Sequence, residues 1–374
     1  MAVTAYGSIT PTQAAYSAKV LLERAIPFLI LEQIGQLKPL PANNTKTINF
    51  RRHKLAAVAN QVGSNGEVLT AGNLTSFALS EGTTPTELGT TMQNVDVTLV
   101  QYGAVIGITD VIEETHIDDV LTEYMGLLGE NSGQVVEAMR WIGISGDAGV
   151  NVILSQDTTG VSALAEGGAN GIKIPAGPAE FRAAVRSIRS NHGRPITKVV
   201  KSDVRFGTQA CEPSFVAVCH SDMEGTLRKT LGANFTPVAD YGSSMTPLQG
   251  EFGNFENIRF LTSTLIGKRA NGTPIGGGAS TSSTVAQAPN LQSDAGANIN
   301  LYDILVFAAD AWCGVALKGE YAVTPTLVRA TPSESDPLAQ RSKAGYKTMQ
   351  AVKVLQTAHI KKIVSGTYKD ALLS

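Results

Sequence analysis

The chain has 374 residues, with 30 Lys and Arg against 32 Asp and Glu and a formal net charge of −2. That length exceeds the usual size of one hydrophobic core, so two lobes with projecting segments are expected. The near-neutral balance argues against a strongly basic nucleic-acid binder, and charged residues at only 17% suggest a surface covered by partners rather than water.

From Thr12 to about Gly35 the apolar spacing predicts a helix, with Ala18, Leu21, Leu22, Ala25 and Leu29 on a broad stripe. Pro27 interrupts it, Pro39 and Pro41 end it, and the whole reads as an N-terminal arm over residues 1–45 that packs on something. Pro27 and Glu32 also break the longest apolar stretch, so no membrane span is expected. The first residues lack the basic-then-apolar pattern of a secretory signal.

Thr45–Lys54 alternates, with Ile48 and Phe50 on one face and Asn49 and Arg51 on the other; Asn94–Ile108 alternates as well. Both read as strands. Between them, Ala59–Met92 holds five glycines, seven threonines, three glutamates and no Lys or Arg. A structureless loop of that length is unusual inside a compact domain. The alternatives are a solvated loop and a long two-stranded arm, over 46–109, that finds its packing partner on another subunit. On the second reading, Arg51, Arg52 and Lys54 in the stem and Glu67, Glu81 and Glu87 further out are candidate inter-subunit contacts.

Asp110–Ile142 switches to helical period, with Ile117, Val120, Leu121, Tyr124 and Leu128 on one face. Its start fits a capping box at either Asp110 or Thr115. The nearby Glu113, Glu114, His116, Asp118 and Asp119 read as dipole-complementing acids, with a divalent-cation site as the alternative.

From Gly146 onward strand and helix signals alternate. Pro178–Asn191 is an amphipathic helix with Gly193 as its cap. Ser214–His220 is an apolar strand, and Ser221 or Asp222 caps a helix to Leu231. Asn257–Ile266 and Asn300–Phe307 are buried strands, and Ala270–Asn298 is a Gly/Ser/Thr-rich surface insertion. Tyr346–Val364 reads as closing strands that return the chain to its first lobe. Segregated arms on alternating strands and helices give an α+β class.

Chemical motifs are missing where they were sought. Gly276–Gly278 and Gly267-Lys268 lack the rest of a phosphate loop, and Gly143–Asp147 fails as a nucleophile elbow. Cys211, Cys219 and Cys313 are not spaced as a disulfide framework and read as reduced thiols; with His220 and Asp222 they offer zinc-ligand types without zinc-ligand spacing. Arg182, Arg186 and Arg189 form a basic helix stripe, read as a solvated face before a DNA contact. No catalytic, cofactor or metal residue is assigned.

The order of parts resembles that of HK97-type tailed-phage major capsid proteins, and within them the N4-type subgroup. The resemblance is carried by Asn94–Ile112 (NVDVTLVQYGAVIGITDVI), Phe215–Lys229 (FVAVCHSDMEGTLRK), Gly250–Ser263 (GEFGNFENIRFLTS), Ile304–Gly319 (ILVFAADAWCGVALKG) and Asp336–Leu355 (DPLAQRSKAGYKTMQAVKVL). It implies an HK97-like capsid fold made of an extended hairpin loop, a peripheral domain with a spine helix over 110–145, an axial domain over 146–321, and returning peripheral strands over 322–374. It also implies a structural, non-enzymatic shell subunit that forms pentamers and hexamers of an icosahedral virion. That shell would enclose DNA without reading its sequence and assemble in the host cytoplasm. Portal and scaffolding proteins are implied partners, and 270–298 is a place for a decoration protein. An encapsulin-type nanocompartment shell has the same fold. The unrelated rival is a soluble α/β enzyme with Ala59–Met92 as a lid, which lacks a visible nucleophile and base.

Overall fold

The computed structural model describes residues 24, 28–40, 45–53, 62–63, 66–67, 78–84, 92–115, 120–147, 149–154, 175–201, 207–242, 246–269, 300–317, 323–328, 330, 332, 338 and 340–368. The expected N-terminal helix and the insertion 270–298 therefore lie almost wholly outside the described residues. In chain order, β1 (Gln36–Leu40), β2 (Thr47–His53), the short β3 (Val62–Gly63) and β4 (Gly66–Glu67), β5 (Met92–Thr98) and β6 (Val100–Thr109) precede the helices α1 (Asp110–Thr115) and α2 (Val120–Ser145). Next come β7 (Asn151–Leu154), α3 (Pro178–Ser190), β8 (Ile196–Lys201), β9 (Gly207–His220), α4 (Met223–Leu231), β10 (Phe235–Pro237), β11 (Glu251–Phe255) and β12 (Ile258–Ser263). The chain closes through β13 (Leu301–Phe307), β14 (Trp312–Leu317), β15 (Val323–Val328), β16 (Arg341–Val354) and β17 (Ile360–Gly366).

Two sheets organise these strands. The first runs β1-β14-β16-β15, with β6 paired along the other side of β16. The second runs β10-β11-β12-β9-β13-β17-β7, and β8 pairs with the early part of β9. Of the expected strands Thr45–Lys54 and Asn94–Ile108, β2 and β5 pair antiparallel from Thr47 opposite Thr98 to His53 opposite Met92, whereas the rest of the second run is β6, which pairs with β16 instead.

The spine lies across the first sheet. Its 26 residues make a rod about 39 Å long. Glycines within it serve close approach: a Cβ on Gly143 would sit 2.2 Å from Val352 Cγ1 of β16. Met125 and Leu128 of α2 pack on Ala344 and Tyr346 of β16, and the Tyr346 hydroxyl donates to Asn131 Oδ1 at 2.7 Å. On the opposite face, Phe50 of β2 with Val97 and Leu99 covers Cys313, Val315 and Ala351. The stem of the hairpin thus packs on its own chain through the face that the alternation predicted.

The second sheet has a core on each face. Phe181, Ala184 and Ile188 of α3, with Met223, Leu227 and Leu231 of α4, cover Phe215, Ala217, Phe260 and Ile304. The other face meets Leu31, Ile34, Trp141, Ile144 and Trp312, so this core joins the second sheet to α2 and to the first sheet.

Four expectations change. The segment expected to stay helical to Gly35 is a 3-10 turn at Leu31–Ile34 followed directly by a strand, β1. Pro39 sits inside that strand, which is tolerated because β1 is the sheet's edge and pairs only with β14. The cap of α3 is a left-handed His192 at φ 59°, with Gly193 one residue beyond, its N–H on Ile188 O at 2.9 Å. Gly193 is still needed, because a Cβ there would lie 2.3 Å from Ile188 Cγ2. Asp222 precedes α4 without a capping hydrogen bond; its carboxylate accepts from the Tyr302 hydroxyl at 2.8 Å instead.

The fourth change concerns the closing strands. β16 lies in the first sheet, but β17 runs between β13 and β7 in the second, while β14 leaves the second lobe for the first. Both strands are buried along nearly their whole length, so their apolar runs carry no face alternation to say which sheet they enter.

Candidate assembly surfaces

The half of the first sheet built from β6, β15 and the start of β16 carries α2 on one face, and its other face is open. Register places Gly107 and Val328 on either side of Lys343, Val105 and Thr326 beside Gly345, and Gly103 and Thr324 beside Lys347. Val105 is 68% exposed and Val328 54% exposed, an apolar display on the two strands that flank β16. Arg341, Lys343 and Lys347 project from the same face, and among the described residues of these strands no acid joins them. The physical result is an uncovered apolar and basic plane. It continues the surface that β2 and β5 cover further along β16.

The six residues singled out from sequence fall as follows. Arg51 is exposed on the outer face of β2. Arg52 is half-buried, and its Nη1 donates to Leu355 O at 3.3 Å; burial lowers its pKa. That contact is within the chain, so Arg52 is partly used in holding the stem to β16. Glu67 lies in β4, opposite Val62. Glu81 is exposed in a turn closed by Thr83 N–H on Ser80 O at 3.3 Å. Lys54 and Glu87 lie outside the described residues. Arg51 and Arg52 follow one another on one stem strand, and among the described residues no ion pair joins either of them to Glu81.

Charges that sequence reading passed over are buried inside the subunit. Arg259 donates to Glu251 at 2.8 Å, Arg269 to Asp303 at 2.6 Å and Arg140 to Glu32 at 3.2 Å. Lys362 donates to Ser145 O at 2.9 Å, tying β17 to the end of α2, and burial lowers the pKa values of Lys361 and Lys362. The alternation of Arg341, Lys343 and Lys347 was a readable signal of a basic strand face. The buried pairs had none, since nothing in these residue types marks them as buried.

Among the described residues, the groups weighed for chemistry are held as follows. Burial pushes the Cys313 thiol up to about 12 and raises the Cys219 thiol as well, so neither is poised as a nucleophile. His220 accepts the Asp222 N–H at Nδ1, 3.1 Å, and its Nε2 lies 3.1 Å from Thr264 O. Those contacts, with Asp222 Oδ2 3.4 Å from Nδ1, hold the ring among its immediate neighbours. The basic stripe of α3 is partly spent locally: Arg182 grips Glu256 at 2.6 and 2.8 Å, and Arg189 lies 5.5 Å over the Phe215 ring. Among the described residues no cluster of His, Cys, Asp and Glu has metal-binding geometry, and no helix is long and apolar enough to cross a membrane.

An α+β subunit with a two-stranded ribbon, a long helix across one sheet and an uncovered sheet face is the form of a shell-building protein. The phage capsid protein family matches residues 93–333, and the chain belongs to that family. No curated protein matches it. Among solved structures, the capsid of cyanophage Pam1 is similar at 14% identity and a TM-score of 0.54, over 93% of this chain and 93% of that one. The capsid of Ralstonia phage GP4 aligns at 10% identity and a TM-score of 0.52, over 91% and 93%. The capsid of cyanophage P-SCSP1u aligns at 14% identity and 0.51, over 91% and 88%. The fold is HK97-like, and the protein is a structural subunit of an icosahedral phage capsid, located in the virion shell. The family favours this over a nanocompartment shell or an enzyme with a lid.

Proposed function

We propose that the subunit closes its shell through pentamers and hexamers in which the distal hairpin of one copy lies on the open β6–β16–β15 face of the next. One observation carries this reading. The segment 59–92 holds Glu67, Glu81 and Glu87 with no Lys or Arg, whereas the open face holds Arg341, Lys343 and Lys347 and no described acid. Opposite fields of this kind steer encounter and fix register. The exposed Val105 and Val328 supply the apolar centre. On this reading Glu67, Glu81 and Glu87 act at the distal contact, and Arg51 and Lys54 at the stem meet carboxylates of a neighbour. Arg52 acts mainly within its own chain.

The division into N-terminal arm (1–45), hairpin loop (46–109), spine (110–145), axial domain (146–321) and closing strands (322–374) belongs to this proposal. It is amended so that β14 sits with the peripheral sheet and β17 with the axial one. The subunit has no catalytic role, assembles in the host cytoplasm and encloses DNA without reading its sequence. Portal and scaffolding proteins complete the particle, and 270–298 is the place for a decoration protein.

Electron microscopy of the expressed chain, alone and with a scaffolding protein, tests the reading. Rings of five and six copies or closed shells are expected. Monodisperse monomers under every condition overturn it.

A further inference from the structure

Glu137 lies on α2 and is 0% exposed, yet only one of its carboxylate oxygens has a partner. Oε1 accepts the N–H of Leu31 at 2.9 Å and of Ile30 at 3.2 Å, at the start of the 3-10 turn. Oε2 is buried with no hydrogen-bond partner, and so is Nη1 of Arg140, one helical turn further along α2. The other guanidinium nitrogen of Arg140, Nη2, donates to Glu32 Oε1 at 3.2 Å and lies 3.5 Å from Gln350 Oε1.

The charges facing this carboxyl are therefore few. The turn brings Glu32, α2 brings Arg140, and β16 brings the neutral amide of Gln350. β8, which also packs on the turn, presents Ile196 and Val199. One cation thus serves two carboxylates in a dry site, and an unpaired buried charge is costly. Burial pushes the Glu137 carboxyl from its ordinary 4.5 up to about 7; Arg140 and the two N–H groups oppose the rise, and Glu32 adds to it.

We infer that Glu137 is a proton-operated latch, which holds Ile30–Ile34 against α2 and releases that segment as the proton is lost to solvent. The protonated carboxyl still accepts both N–H groups through Oε1. The ionised carboxyl leaves a bare charge at Oε2. Leu31 and Ile34 belong to the core that joins the two sheets, so release loosens the joint between them. This makes the N-terminal segment separable from the subunit without unfolding either sheet.

The sign follows from linkage. A carboxyl whose pKa is higher in the latched form gives stability that is complete below the unlatched value of 4.5 and lost as pH rises through about 7. The opening equilibrium should rise about ten-fold per pH unit across that window, roughly 300-fold in all, and then level off.

Hydrogen exchange of the full-length protein tests this, read on peptides spanning 28–36 from pH 4 to 8 and corrected for intrinsic rates. The wild type should lose protection across the window, while Glu137→Gln, which keeps the acceptor but cannot ionise, should not. Glu32→Gln removes the like charge, so its loss of protection should be smaller and should level off at lower pH. A Glu137→Gln profile that falls as the wild type does overturns the latch. So does an unchanged window in Glu32→Gln, which decides the matter if the first variant fails to fold.

Discussion

Arg259 shows how a single residue is held in this subunit. Its side chain is 1% exposed and Glu251 is 0% exposed. Around them, Thr246 O accepts the guanidinium at 2.7 Å, the Leu248 N–H donates to Glu251 at 2.7 Å and the Tyr241 hydroxyl donates at 2.6 Å. A buried pair stabilises little against apolar substitutes, but breaking it strands a charge. Glu251→Ala should therefore cost about 3–5 kcal/mol in urea unfolding. Glu251→Gln keeps one of the two acceptor oxygens, so Arg259 retains a partner, and it should cost less. Equal losses in the two variants would show that packing, not the charge, is what matters there. The sequence shows Glu251 and Arg259 eight residues apart on what become adjacent strands, yet nothing in either residue type marks it as buried. Burial came only with the folding of Thr246–Leu248 and Tyr241 around the pair.

Among the elements, the hairpin was the most legible. Alternation identified β2 and β5 and the face of Ile48 and Phe50 that meets the first sheet. The spine was legible too, including a start at Asp110, although the helix is described in two pieces, α1 and α2. Two predictions belong at this scale. Deleting 59–91 should leave a chain that unfolds as cooperatively as the parent in circular dichroism but forms no shells, because no residue of the described cores falls in that segment. A deletion that unfolds the isolated subunit would refute the arm assignment. Next, Lys343→Glu with Lys347→Glu should suppress assembly at low salt, as seen by light scattering, while subunit stability changes by less than about 0.5 kcal/mol, as exposed sites do. Converting Glu81 to Lys in the same chain should restore part of it. Assembly indifferent to all three changes would remove the electrostatic docking.

At the scale of the molecule, the two sheets share one seam. Trp312 begins β14 of the first sheet and its ring packs in the core of the second, tightly enough that a Cβ on Gly35 would lie 2.3 Å from it. Trp312→Ala should cost about 3–5 kcal/mol, measured by chemical denaturation. If unfolding remained a single transition with an unchanged midpoint, the seam would not be a principal joint. A subunit hinged on one such seam, with a latch beside it and an uncovered sheet face, has the means to adapt to different neighbours in a closed shell.

By itself the sequence determined the ribbon's stem, the spine and the apolar strands, because those follow from periodicity within short windows, while the class of the protein came from its resemblance to a known family. Tertiary structure alone decided that β14 and β17 change sheets, that Pro39 lies in a strand, and that Glu32, Glu137 and Arg140 meet. These outcomes depend on pairing between segments far beyond any local window, and no local pattern specifies which buried run lies beside which. The basic face of β16 falls between the two. Its alternation was in the sequence, but only the pairing with β6 and β15 showed that nothing in the described subunit covers it.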